Sequence, residues 1–373
     1  MPHDCYIGLM SGTSMDGIDA VAVNFSNPKP TVVAAIHHPY PESLSARLET
    51  LVTDGGPTDF RFLLETDHQL AVAFANAANT LRAQSPPGYT IKAIGSHGQT
   101  IYHLPEGDSP NTLQLGDPNL IAELTGITTI ADWRRHDMAA GGQGAPLTPA
   151  FHCEFLRNSK DVAVLNLGGI ANITIIPGEN SSRPALGFDT GPANTLLDAW
   201  TMRHRHTTCD VDGRWAASGL INQQLLATML CDAYFSKPPP KSTGREYFNM
   251  KWLDNMLSLQ KRPIDSADVA ATLVELTTQS IAAALDHLDD KHPIASLFVC
   301  GGGVHNQYMM SRLATTLSSL RVASSAEAGI DPDQMEAMAF AWFAKKTLAL
   351  EPIDTTPFTG AKGPRILGGI YHA

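Results

Sequence analysis

One local plan occurs twice in this chain, and that repetition restricts its fold more than any other feature. The first half opens on the apolar run Tyr6-Ile7-Gly8-Leu9-Met10, turns through Ser11-Gly12-Thr13-Ser14, and returns as Ile18-Asp19-Ala20-Val21-Ala22-Val23. Two apolar runs joined by small and polar residues predict a β-hairpin, and Thr31 to Ile36 extends it as a third strand. In the second half, Val162 to Leu167 and Ile170 to Ile176 are joined at Gly168-Gly169, and an extended piece ends at Phe188-Asp189. After each meander the apolar period lengthens. Leu63, Leu70, Phe74, Ala77 and Leu81 mark a helix in the first half, and helical spacing recurs in the second over Val269, Leu273 and Leu276, then in Ile281, Leu285 and Leu288. Strands Ile91 to Ser96, Ile127 to Ala131 and Leu297 to Cys300 alternate with further helices, among them Pro118 to Leu124 and Gln334 to Leu348. A chain of 373 residues is too long for one compact core. The pattern therefore predicts an α/β protein of two domains, each a mixed sheet flanked by helices, with a ligand cleft between them. The Gly- and Pro-rich stretch Ala139 to Thr148 is the predicted join, which gives domains at residues 1–140 and 141–373.

Charge narrows the partners. Lys and Arg number 26 against 37 Asp and Glu, a formal net charge of −11. An acidic surface repels polyanions at long range, which argues against nucleic acid or a membrane as the partner. An anionic ligand must then be held by local donors. The five cysteines form neither a CxxC pair nor a Cys/His zinc pattern and read as reduced, mostly buried thiols. No basic segment precedes an apolar stretch at the N-terminus, and no apolar run reaches the roughly 18 residues of a membrane span. The expectation is a cytoplasmic protein.

The turns carry the candidate chemistry. Between Ser11 and Asp19, small residues let backbone N–H groups approach phosphate oxygens, and the hydroxyls of Ser11, Thr13 and Ser14 add donors. Asp16 and Asp19 can face Mg²⁺, directly or through water. The same composition also suits an ordinary tight turn. Gly168-Gly169 is the matching turn, and a triphosphate gripped from two walls needs donors from both. Neither turn fits GxxxxGK[ST] or GxGxxG. Asp189 stands at the end of an extended piece just before a helix, so its residue context suits a general base and a helix cap equally. Ser96-His97-Gly98-Gln99-Thr100 reads as a loop with four hydrogen-bonding side chains around one glycine, suited to a sugar or to a structural histidine. Arg134 and Arg135 sit among acids, as on a salt-bridged surface, yet Gly141-Gly142-Gln143-Gly144 follows and favours a loop facing the cleft. Gly301-Gly302-Gly303, leading to Asn306, leaves room for a flat adenine or ribose. Glu336 is the polar group of an otherwise packed helix.

Taken together, the segments GLMSGTSMDGID (8–19), IGSHGQT (94–100), ADWRRHDMAAGGQGAPL (131–147), LNLGGIANIT (165–174), GFDTGPANTLLDAW (187–200), KSTGREYFN (241–249), VCGGGVHN (299–306) and MEAMAFAW (335–342) resemble the anhydro-N-acetylmuramic acid kinase family. Trp133 and Ala193 depart from the family's more usual Phe and Gly. The resemblance implies the actin, sugar-kinase and heat-shock-chaperone fold, in which two ribonuclease-H-like domains close on ATP. It also implies hydrolytic opening of 1,6-anhydro-N-acetylmuramic acid with phosphorylation of O6, in peptidoglycan recycling. By that correspondence Gly12, Thr13, Ser14, Met15, Asp16, Gly17, Ile18 and Asp19 contact ATP, and Asp189 is the base. Gly168, Gly169, Gly301, Gly302, Gly303 and Asn306 complete the expected ATP site, with Mg²⁺ on Asp16 and Asp19. Ser96, His97, Gln99, Arg134 and Glu336 are the expected sugar contacts, and a homodimer is the family-level expectation. The competing expectations are another sugar or carboxylate kinase of this fold, or a nucleotide-switched binding ATPase.

Overall fold

Period-two apolar patterning yields the two meanders that the repeated plan predicts. In a computed structural model that describes residues 3–12, 15–52, 59–286 and 293–373, two compact units form, Met1–Phe155 with Gln334–Ala373, and Leu156–Asp333. In the first unit, strand His3–Ser11 pairs antiparallel with Gly17–Asn24, and that strand pairs antiparallel with Thr31–Pro39. On the other side of His3–Ser11, Tyr89–Leu104 and then Thr129–Ala131 add in parallel, and Gly369–Tyr371 closes the edge antiparallel. In the second unit, Val162–Leu167, Ile170–Ile176 and Leu186–Pro192 form the meander, with Ser296–Cys300 and Arg321–Ser324 added in parallel beside the first of them. Both sheets thus share one order: third, second, first, fourth, fifth main strand. Each unit is a ribonuclease-H-like mixed sheet flanked by helices.

Each sheet is covered by the helices its sequence spacing announces. Leu70, Phe74, Ala77 and Leu81 of helix Phe60–Gln84 pack on Ile7, Leu9, Ile18 and Ala20 of the first meander. In the second unit Leu165, Leu167, Ile173 and Ile175 meet Leu196, Trp200, Leu273 and Leu276. Burying such side chains supplies about 1.5–3 kcal/mol each against the entropy of ordering the chain.

The division of the chain differs from the expected 1–140 and 141–373. Residues 141–155 and 334–373 belong with the first unit. The cause is close packing. Gly8 and Gly95 lie side by side on paired strands, and a Cβ on either would overlap the backbone carbonyl of Ala337 or Phe340 in helix Met335–Leu348. Two missing side chains therefore let the C-terminal helix seat on the N-terminal sheet. A second difference concerns His97 to Gln99, expected in a loop. They lie inside the 16-residue strand Tyr89–Leu104, which runs on to pair with Asn111–Leu115. Of the cysteines, Cys5 and Cys300 are buried but Cys209 and Cys231 are exposed, so the thiols are not mostly buried; all five are free. Among the described residues no helix is long and apolar enough to cross a membrane.

Candidate functional site

In the first unit the turn after His3–Ser11 is held from beneath. The Ser11 hydroxyl lies 2.8 Å from the Gly17 carbonyl oxygen and 2.7 Å from Gln99 Oε1. The Gln99 amide also donates to the Gly12 carbonyl at 3.1 Å. Both residues are 1% exposed, so these bonds are shielded from water. The side chains of Met15 and Ile18 are in the core, leaving only their backbone for a ligand. Thr13 and Ser14 lie outside the described residues. A Cβ on Gly12 would meet nothing within 4 Å, so this glycine opens toward free space. Asp16 is exposed, and Asp19 Oδ1 is 2.8 Å from His37 Nδ1. Among the described residues no three ligating side chains gather for a metal. One or two carboxylates, with water and phosphate oxygens, are what Mg²⁺ ordinarily takes, so these residues fit that ion.

The neighbouring strand carries a second arrangement. Arg134 Nε donates to His97 Nε2 at 2.9 Å, so Nε2 is an acceptor and His97 is the neutral Nδ1–H tautomer, which donates to the Gly98 carbonyl at 2.7 Å. Burial, and then the Arg134 charge, push the imidazole down to about 3. Arg134 Nη1 also donates to the Gly144 carbonyl at 2.9 Å. The 141–144 loop is fixed in turn by Asp137, wholly buried, which accepts from Gly144 N, Thr355 Oγ1 and Thr359 Oγ1. The run around Arg134 is thus a short helix, Trp133–Ala139, whose Trp133 ring is buried against Phe340 and Phe343. Ser96 Oγ is buried with no hydrogen-bond partner among the described residues, beside a cavity of about 20 Å³. Glu336, half-buried, stands in the first turn of helix Met335–Leu348.

In the second unit Asp189 is not a helix cap. It lies within strand Leu186–Pro192, and the following helix, Asn194–Arg205, begins after Ala193 with no side-chain cap. The amides of Ala193, Asn194 and Thr195 donate instead to the Gly168 and Gly169 carbonyls, which ties the hairpin turn to the helix start. Ala193 has φ −117° and ψ −102°. The Asp189 carboxylate is 6% exposed, and its Oδ2 accepts from the Thr243 amide at 3.0 Å. Its own amide donates to the Lys241 carbonyl at 3.0 Å, so the 241–243 loop clasps this residue from both ends. The Lys241 ammonium is buried, donates to the Tyr234 and Phe235 carbonyls, and lies 4.7 Å from the Tyr234 ring centre. Burial pushes Lys241 down from its ordinary value, and the nearby Asp189 charge opposes that shift.

The three glycines at 301–303 have separate reasons. Gly301 has φ +78° and a Cβ there would overlap Asn166 Oδ1; a Cβ on Gly303 would sit 2.5 Å from Leu167 Cβ. Gly302 alone faces open space. Asn166, within LNLGGIANIT, gets no role from its local sequence, yet its side chain packs against Gly301. Asn306 caps helix Gln307–Thr316 by accepting from Met309 N at 2.9 Å, leaving its amide nitrogen for other contacts.

Residues 4–373 match the family model for anhydro-N-acetylmuramic acid kinase. A protein of that name from Xylella fastidiosa (strain Temecula1) is 51% identical over 377 residues, covering 100% of this chain and 97% of that one. One from Coxiella burnetii (strain RSA 493) is 48% identical, covering 100% and 98%, and one from Xanthomonas campestris pv. campestris (strain 8004) is 50% identical, covering 99% and 97%. This chain belongs to the anhydro-N-acetylmuramic acid kinase family.

Proposed function

We propose that this kinase opens 1,6-anhydro-N-acetylmuramic acid with water while transferring the γ-phosphoryl group of ATP to O6, giving N-acetylmuramic acid 6-phosphate and ADP. The observation that carries the mechanism is Asp189: a carboxylate set by a backbone amide on one oxygen, in a strand and not at a helix cap, beside a buried lysine. Asp189 takes a proton from the water that attacks C1. The C1–O6 bond breaks and O6 receives the phosphoryl group as the bridging bond to ADP breaks. An inverting glycosidase also needs an acid on the leaving oxygen. Here phosphoryl transfer neutralises that oxygen, so one carboxylate suffices.

Other chain residues orient and exclude. The turn amides from Gly12 to Asp19, with Gly168 and Gly169, would hold phosphate oxygens, and Gly302 with Asn306 would face the nucleoside. Asp16 and Asp19 would hold Mg²⁺, which supplies charge neutralisation on the phosphates when bound. Ser96, Arg134 and Glu336 would contact the sugar. His97 spends both ring nitrogens on Gly98 and Arg134, and Gln99 spends its amide on Ser11 and Gly12, so each acts chiefly through the group it holds. The same reading makes the protein cytoplasmic, homodimeric and part of peptidoglycan recycling.

The test is ADP release with the anhydro sugar as sole acceptor, compared with the opened sugar. Asp189→Asn should abolish turnover while nucleotide still binds, and near-normal turnover would remove Asp189 from the mechanism. In ¹⁸O-water, label should enter at C1; label in phosphate would show plain ATP hydrolysis.

A further inference from the structure

Three side chains lie in one row across the second unit's sheet. Asn166 pairs with Asn172 across the first hairpin, and Asn172 pairs with Asp189 across the next. The flanking pairs, Leu165 with Ile173, Leu167 with Ala171 and Ile173 with Phe188, all belong to the helix-covered core. Side chains alternate along a strand, so Asn166, Asn172 and Asp189 project together from the opposite face. The ladder skips Thr190 between Ala171 and Asn172, and on the regular side of that bulge, next to the Ile173–Phe188 pair, Asn172 stands opposite Asp189, which brings the two side chains to neighbouring positions.

The chemistry of that row is one-sided. The Oδ1 atoms of Asn166 and Asn172 are buried and have no hydrogen-bond partner among the described residues. Native interiors rarely leave such acceptors unsatisfied, and where they do a ligand or a water is the usual reason. Gly301 keeps the row clear, because a Cβ there would overlap Asn166 Oδ1. Two buried amide oxygens with no protein donor, in one row with a carboxylate held by a backbone amide, are a seat for a group with protons to give.

A water molecule has two protons, and a general base takes one. We propose that Asn172 Oδ1 accepts a hydrogen bond from the second, so that the attacking water is held between Asn172 and Asp189 with a lone pair directed at C1. The proton held by Asn172 remains on the new C1 hydroxyl, while the other passes to Asp189 as the C1–O6 bond breaks. This rests on the reading of Asp189 as the base. Asn172 is then a further catalytic residue, touching the nucleophile.

The experiment compares Asn172→Leu, which removes the acceptor at similar volume, with Asn172→Asp, which keeps acceptor oxygens and loses the donors. At about pH 8, Asn172→Leu should lower kcat about 100-fold with both KM values nearly unchanged, the cost of losing alignment of a nucleophile. Asn172→Asp should recover at least tenfold of that loss. Methanol, with a single hydroxyl proton, cannot satisfy both groups. Product partitioning between water and methanol should therefore favour water in the wild type and shift several-fold toward the methyl glycoside in Asn172→Leu. An unchanged kcat, a raised sugar KM at normal kcat, or unchanged partitioning would overturn the assignment. If Asn172→Leu does not fold, Asn172→Ser and Asn172→Asp carry the same comparison, and equal loss in both overturns it. Full turnover by Asp189→Asn would defeat the base reading itself; an inactive Asp189→Asn beside fully active Asn172 variants defeats only the role of Asn172.

Discussion

Acid should weaken the first unit through its buried histidines, and one of them, His152, contributes a share that can be isolated. His152, on helix Pro149–Phe155, is 1% exposed with its ring against Phe151, and burial pushes the imidazole down to about 3. In the unfolded chain a histidine titrates near 6.5. The folded state therefore refuses a proton that the unfolded chain accepts, so this contribution is fully present above about 6.5 and is lost as pH falls toward about 3. Each pH unit within that window costs about 1.4 kcal/mol, so moving from about pH 7.5 to about pH 5 costs about 2 kcal/mol for His152. His97 and His103, in the same unit and pushed to about 3 and about 4, add similar losses. His152→Leu deletes one of the three. Carboxylates titrate alike in wild type and variant, so the difference between the two acid-induced losses isolates this histidine. Urea unfolding at both pH values, read by hydrogen exchange of peptides from strand Tyr89–Leu104, follows the unit's own transition. The variant should lose about 2 kcal/mol less than the wild type on acidification. Equal losses would refute the argument that burial keeps His152 neutral.

Three further outcomes follow from the geometry. Gln99→Leu removes the support of the Gly12 carbonyl, so the ATP KM should rise several-fold with the sugar KM unchanged; the reverse pattern in steady-state kinetics would make Gln99 a direct sugar contact. Gly301→Ala and Gly303→Ala should each cost about 1–3 kcal/mol in urea unfolding, from a left-handed φ and from overlap with Leu167 respectively, whereas Gly302→Ala should fold normally and change only nucleotide affinity. Asp137→Asn replaces a buried acceptor of three hydrogen bonds and should cost about 2–4 kcal/mol, measured as a lower urea midpoint.

Much of the site could be located from sequence because turns are local. The small residues at 11–17 and at 168–169 announce hairpins, since strand period and turn chemistry need no distant partner. Asp117-Pro118 likewise announces a helix start, and Asp117 does cap Pro118–Thr125 by accepting from Asn119 N. What the side chains of those segments touch was less accessible. His97 and Gln99 look like exposed loop donors until the ladder places Ser11 beside Gln99 and the helix from Trp133 brings Arg134 to His97. Asn166 and Asn172 stand within the family-like segment LNLGGIANIT, but nothing local gives them a role; only strand register puts them in line with Asp189.

By itself, then, the sequence determined two meanders, the helices that cover them, and the family to which their turns belong, because hydrophobic period and turn residues act over a few positions. Tertiary structure alone decided that the last forty residues return to the first sheet. A helix buried on nearly every side, as Met335–Leu348 is, carries no facing preference that could name its partner. Its place is set by Gly8 and Gly95, far away in the chain, where two absent side chains let its backbone come close. Short strands such as Asn111–Leu115, Arg321–Ser324 and Gly369–Tyr371 were equally silent, since their order comes from the strands beside them and not from their own residues.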